Sequence, residues 1–403
     1  MTERKVDFPL PVASDVHSYL LDDELLLFSE SNQAMYRLNP SAAFIWCCCA
    51  DGLDRPGIIA ELVRTFGLSA TEASSDLDTL LTHWQSLGLL GQPGQRQRAQ
   101  AVAEHEPPIA AELPEPRPPL ADYPVECHYR MLETAIRIRF SEPGTEHLAD
   151  AVFAHLCTGS AQRFDLGLDV QHDSRGYFLF ANGDLIAHCP TEQEVPPLLH
   201  GEAVSEAYSS RSECLLAIHA AAVSNGDQCI VFPAVSGSGK STLTAALIAA
   251  GFQYCSDELV LLRRGTHTVQ AIPAAIGSKA GAWPVLEPLY PSLNDVPVFL
   301  RQDGRRVRYL LPPKQTLPDD LARSWPLRSL VFPMYDADAS PTLKRLSPAD
   351  ALCRLMEAGC DVEGGLDKEK ATELVEWIRD IPCYEMRFQD LQHAVSHIRG
   401  LLT

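Results

Sequence analysis

The chain has 403 residues, with 33 Lys and Arg against 53 Asp and Glu, a formal charge of −20. So acidic a chain repels polyanions, which argues against nucleic acid as a partner. Apolar residues make up 46% and charged residues 21%, the balance of an ordinary globular protein. No apolar run approaches the roughly 18 residues of a membrane span. The first fifteen residues hold no apolar core or A-x-A site for export, so no membrane association and a cytoplasmic location are expected. Twelve cysteines include the run Cys47, Cys48 and Cys49 but no C-x-x-C. A reduced chain without a zinc site is therefore expected. At about 150 residues per domain the length suggests two or three domains, and it is compatible with a homo-oligomer.

Composition divides the chain into residues 1–91, a linker at 92–124, and a C-terminal part at 125–403. Residues 18–29 and Ala34–Leu38 flank the polar turn residues Glu30, Ser31 and Asn32, which predicts a two-stranded hairpin. Asn39-Pro40 pairs an N-cap residue with proline at the first helical position, and Ala43, Phe44, Trp46 and Cys47 follow. A second helix is predicted from near Asp54 to Phe66, ended by Gly67, with Ile58, Ile59, Leu62, Val63 and Phe66 on one face. A third opens on the capping box Ser69 and Glu72 and buries Ala73, Leu77, Leu80, Leu81, Trp84 and Leu87. A hairpin and three helices in so few residues predict a small α+β, winged-helix-like module.

This block resembles the PqqD-like fold, the recognition element for ribosomally made, post-translationally modified peptides. The resemblance spans about residues 12–90. It rests on Tyr36-Arg37-Leu38-Asn39-Pro40-Ser41-Ala42-Ala43-Phe44-Ile45-Trp46, the second helix, and Leu87-Gly88-Leu89-Leu90. It implies that residues 1–91 bind the leader of a precursor peptide as an added strand, where main-chain hydrogen bonds give affinity and side-chain pockets give specificity. A winged helix can also bind DNA. Residues 1–90, however, carry five basic residues against thirteen acidic ones, a net charge of −8, which argues against that role.

The linker holds Pro93, Pro107, Pro108, Pro114, Pro116, Pro118, Pro119 and Pro124 among Glu and Ala, a composition that favours extended chain. The sharpest chemical signal follows in the C-terminal part: Ala234-Val235-Ser236-Gly237-Ser238-Gly239-Lys240-Ser241-Thr242. This is a P-loop pattern with alanine at its first glycine. A short apolar strand precedes it, and a helix ending at Gly251 follows. Backbone N–H groups and the helix N-terminus would cradle phosphates. Lys240 would reach the β- and γ-phosphates of ATP, and the Ser241 hydroxyl would bind Mg²⁺. A three-turn helix and a short adjacent strand would return Asp257 to the γ-phosphate as a metal ligand or base, with Glu258 beside it. Residues 215–223 read as one buried strand containing His219.

These residues resemble the HPr kinase/phosphorylase superfamily over roughly residues 200–400, with the match concentrated at 215–262. The matching positions are His219, Ser236-Gly237-Ser238-Gly239-Lys240-Ser241, Gly251 and Asp257-Glu258. The resemblance implies an α/β P-loop kinase domain, with Asp257 as general base and His219 as a phosphate-binding or base-orienting neighbour. Two departures stand out. Glu258 replaces the second Asp of the family's pair, and residues 272–281 replace its downstream glycine-rich, Glu-containing motif. A divergent branch that does not act on HPr fits better.

Lys279, Arg305, Arg306 and Arg308 are predicted mainly as a solvated face, with phosphate binding the alternative. His393 and His397, at i and i+4, lack a third metal ligand. Segments 329–334 and Cys383–Phe388 read as strands. Pro348–Glu357 and a segment at 369–379 read as helices closing the C-terminal domain. The combined expectation is an ATP- and Mg²⁺-dependent kinase that phosphorylates a Ser or Thr of a captured precursor peptide. The alternatives are an ATP-gated peptide chaperone without transfer, and a small-molecule kinase.

Overall fold

The structure, a computed structural model, describes residues 12–91, 120, 122–159, 163–209, 213–362 and 364–402. Most of the predicted linker, 92–119 and 121, lies outside them. The described residues form a mixed α/β molecule of two compact units. The first unit gathers the N-terminal residues up to 91 with 347–356 and 364–380, and the second holds the remainder.

In the first unit, β1 (Val16–Leu21), β2 (Glu24–Ser29) and β3 (Ala34–Leu38) form an antiparallel meander in that order. The single strand predicted at 18–29 is thus two strands. Asp22, at φ +49°, makes the tight turn between them, because a short polar side chain tolerates the left-handed region. The apolar residues on both sides of Asp22-Asp23 obscure that turn in the sequence. Helices α1 (Pro40–Ala50), α2 (Arg55–Phe66) and α3 (Ala70–Ser86) carry the predicted caps. Asn39 accepts from the Ala42 N–H, Gly67 closes α2 at φ +70°, and Ser69 with Glu72 completes the capping box. Their apolar faces meet around Trp46 and Trp84, whose rings lie edge to face at 5.1 Å. The Trp46 indole N–H is satisfied by the Ser18 hydroxyl at 3.0 Å.

Two helices from late in the chain complete this unit. Tyr19 of β1 donates to the Lys368 carbonyl at 3.2 Å and lies as close to the Thr372 hydroxyl. Gln33 accepts from the Leu366 N–H at 2.6 Å and donates to the Leu366 carbonyl at 2.9 Å. Arg37 pairs with Glu24 and Asp350. Helices form at Pro348–Glu357 and Lys368–Asp380, where segments 348–357 and 369–379 are expected, but instead of closing the C-terminal domain, 348–356 and 368–380 group with the N-terminal block.

The second unit begins with a five-stranded sheet, Val125–Met131, Thr134–Phe140, Leu166–Asp173, Gly176–Ala181 and Asp184–Cys189, in sequence order. Helices His147–Phe153 and Val195–Ser209 share its core through Leu148, Val152, Leu199 and Ala203. A six-stranded mixed sheet follows, in the order Gln253–Ser256, Ala220–Ser224, Cys229–Pro233, Leu327–Tyr335, Cys383–Phe388 and Thr342–Arg345. Its strands Cys229–Pro233, Leu327–Tyr335 and Cys383–Phe388 are parallel, and the first is wholly apolar and buried, as a strand covered on both faces must be. The helix Lys240–Ala249 packs Leu243, Leu247 and Ile248 into the core formed with Val223, Ile230 and Phe232. A second five-stranded sheet contains Cys214–Ile218 paired with Val260–Arg263.

Candidate functional site

Two apolar runs build the site by changing sheets. The strand predicted at 215–223 is broken at His219. Cys214–Ile218 belongs to the five-stranded sheet and Ala220–Ser224 to the six-stranded one. The His219 N–H leaves both ladders and donates to the Gly359 carbonyl at 3.0 Å. The return run behaves alike: Gln253–Ser256 pairs with Ala220–Ser224, and Val260–Arg263 pairs with Cys214–Ile218. The two runs are antiparallel partners on both sides of the break. The break at His219 therefore faces the break at Asp257, Glu258 and Leu259. The return strand lies one place from the loop strand Cys229–Pro233, with Ala220–Ser224 between them.

The loop strand leads into residues 234–239 and the helix Lys240–Ala249. Gly237 and Gly239 sit at φ +95° and +90°, values that favour glycine. The Ser238 carbonyl accepts from the Tyr335 N–H at 3.0 Å, tying the loop to the end of a parallel strand. A Cβ on Gly239 would lie 3.2 Å from both the Phe388 ring and the Tyr335 Cβ. Gly239→Ala is therefore expected to cost about 1–3 kcal/mol through strain at this φ and to lower the melting temperature. An unchanged melting temperature would mean that the loop does not hold this conformation.

At the end of this loop lie two buried charged groups, each with a polar atom that makes no hydrogen bond. Lys240 is 7% exposed, and its Nζ makes no hydrogen bond. Asp257 is 2% exposed; its Oδ2 accepts from the Gly277 N–H at 3.3 Å, and its Oδ1 has no partner. Burial pushes the Asp257 carboxyl up to about 7, against the pull of the Lys240 ammonium and the Ser241 hydroxyl. Burial pulls the Lys240 ammonium below its ordinary range, with Asp257 and Glu258 opposing. Burial would likewise raise Glu258, but His200, His219, Lys240 and Arg301 outweigh it and hold the carboxyl low. His219 Nδ1 stands 3.8 Å from Glu258 Oε1. Burial, with Lys240 nearby, holds its imidazole below the ordinary histidine range.

Of the predicted residues, Lys240, Asp257, Glu258 and His219 are thus brought within electrostatic reach of one another. Ser236 and Gly237 are exposed, while Ser241 and Thr242 are half-buried at the start of the helix. Ser238 Oγ is buried without a hydrogen bond. The predicted solvated cations divide into two groups. Lys279 Nζ lies 2.8 Å from Ser236 Oγ, and Arg305 Nη1 lies 3.3 Å from the same oxygen. Arg306 and Arg308 instead lie over the Trp283 ring at 5.6 and 4.2 Å. The sequence reading missed His200 and Arg301. His200 is buried on the helix Val195–Ser209, where its apolar neighbours gave no sign of an adjacent charge. His393 serves the Asp390 cap of the last helix, whose carboxylate accepts its N–H.

A polyphosphate and a divalent cation fit this arrangement chemically. The unpartnered Lys240 ammonium and Ser238 hydroxyl can donate to phosphate oxygens, and the free Asp257 oxygen with the Ser241 hydroxyl can face a hard cation. Among the described residues, no group of three or more His, Cys, Asp or Glu converges as a metal cage, and no helix is long and apolar enough to cross a membrane. No curated protein matches the chain. Residues 24–90, which hold β2, β3 and the three helices, match the family model of coenzyme PQQ synthesis protein D (PqqD), and this part of the chain is a PqqD domain.

Proposed function

We propose that the chain is an ATP-dependent kinase that phosphorylates a Ser or Thr hydroxyl of a ribosomally made precursor peptide, captured through its PqqD domain. The observation that carries this reading is the pair of buried, unpartnered polar atoms, Lys240 Nζ and Asp257 Oδ1, beside a glycine loop and a helix N-terminus. Burying such groups without partners is costly; a bound triphosphate would offset that cost at Lys240, and a divalent cation or an acceptor hydroxyl would offset it at Asp257. In this reading the loop N–H groups and Lys240 hold the β- and γ-phosphates. Asp257 takes the proton of the acceptor hydroxyl as its oxygen bonds to the γ-phosphorus and the bridge to the β-phosphate breaks, leaving ADP. His219 and Glu258 orient the groups around Asp257. When bound, Mg²⁺ would supply charge neutralisation at the phosphates, held through Ser241, Asp257 and Glu258.

The PqqD domain supplies the acceptor by tethering. Leader binding raises the local acceptor concentration, so a weak and tolerant transfer site suffices. The test is incubation with ATP, Mg²⁺ and each short peptide encoded by the neighbouring genes. One added phosphate mass is expected. ADP formed only with peptide, without added mass, would favour a peptide-presenting ATPase. Transfer to small alcohols but not to peptide would favour a small-molecule kinase.

Removing the leader from the peptide should lower the transfer rate steeply at dilute peptide. At saturating acceptor the rates with and without leader should converge, because the loss is one of effective concentration. Equal rates with and without leader at dilute peptide would remove the PqqD domain from substrate capture.

A further inference from the structure

Lys279 ends the strand Ile276–Lys279, and Arg301 and Arg305 flank the hairpin turn between Phe299–Leu300 and Arg306–Leu310. The Arg301 N–H donates to the Arg305 carbonyl at 3.0 Å, which closes that turn. Lys279 Nζ and Arg305 Nη1 meet on one oxygen, Ser236 Oγ, at 2.8 and 3.3 Å. Two cations are therefore held close together against the glycine loop. One carboxylate of the turn, Asp303, pairs with both Arg301 and Arg305, at 3.6 and 3.7 Å. Like charges so placed repel one another, and the repulsion is relieved by an anion that they share.

Ser236 lies four residues before Lys240. Lys240 is nine-tenths buried with an unpartnered ammonium. The loop is thus bounded by Lys240 at its helix end and by Lys279 and Arg305 at Ser236. The cations approach from separate strands, so they can contact different oxygens of one polyphosphate. We infer that Lys279 and Arg305 form a clamp for the terminal phosphate of a nucleoside triphosphate, and so make the site select triphosphate over diphosphate. This rests on the nucleotide reading of the loop and adds a specificity device to it.

The test is calorimetric titration of the full chain with Mg²⁺ and either ADP or the β,γ-imido analogue of ATP. The wild-type chain is expected to bind the analogue more tightly than ADP. In Lys279→Met and Arg305→Ala the analogue should weaken by roughly 10–100-fold, the loss of one charge-assisted contact. ADP affinity should hold, which also reports that the variants are folded. Lys279→Arg should recover much of the preference. An unchanged ratio of the two affinities, or an equal loss for both ligands, would overturn the clamp while leaving the loop as the nucleotide site. A wild-type chain that binds neither ligand would overturn the nucleotide reading and the clamp together.

Discussion

Asp257→Asn is expected to lower peptide-transfer turnover by roughly 10²–10⁴-fold, the usual contribution of a positioned general base. Nucleotide should still bind, because the amide keeps the side-chain volume and the Gly277 N–H still has an acceptor. In the wild-type chain, the carboxylate form that accepts a proton becomes the major one only as pH rises through about 7. Transfer measured as kcat/KM, which reports the free enzyme, should therefore climb through that window and level off above it, and the amide variant should lack the climb.

Stability should move in the opposite sense. The folded carboxyl titrates near 7 and the unfolded one near its ordinary value of about 3.9. Between these values the folded state binds more protons, so this group's contribution falls as pH rises from about 4 to 7. The Asp257→Asn chain carries no such penalty, because its amide does not ionise. Denaturant unfolding above pH 7 should find the variant more stable than the wild type by a few kcal/mol, while below pH 4 the two converge. A variant with near-normal turnover would transfer the base role to Glu258 or His219. A variant without the stability gain would mean that Asp257 is not buried as a charge.

Lys240→Ala is expected to abolish transfer and to weaken nucleotide binding by about 10²–10⁴-fold. That range matches the roughly 3–5 kcal/mol typical of removing one partner from a buried charge contact. The side chain is 7% exposed, so water does not screen the lost interaction as it would at a surface. The ammonium also holds the Asp257 carboxyl down. Residual turnover, if measurable, should therefore rise with pH at a higher midpoint than in the wild type. Titration calorimetry and a pH series check both effects. Unaltered ATP affinity would show that the loop is not the nucleotide site.

Local chemistry was legible wherever a few neighbouring residues decide it. Asn39 with Pro40, Gly67, and Ser69 with Glu72 mark helix ends through hydrogen bonds made within one turn, and all three appear as read. The glycine loop was legible for the same reason, since Gly237 and Gly239 supply the φ values that its path requires. The Asp22 turn was not, because the apolar pattern runs through it.

Backbone sterics and short-range hydrogen bonds act between near neighbours. They therefore settle, from the residues alone, the caps of the N-terminal helices and the glycines at which the loop turns. Which faces and charges meet is a matter of long-range packing. The residues at 348–357 and 369–379 read as helices, but not as helices that complete the unit of Trp46 and Trp84. An apolar run shows that residues 215–223 are buried, but not that they change sheets at His219 and so set it opposite Glu258. Lys279 and Arg305, 26 positions apart, converge on Ser236 because long-range strand pairing fixes where each strand ends, and a pattern of hydrophobic and charged residues carries no record of that pairing.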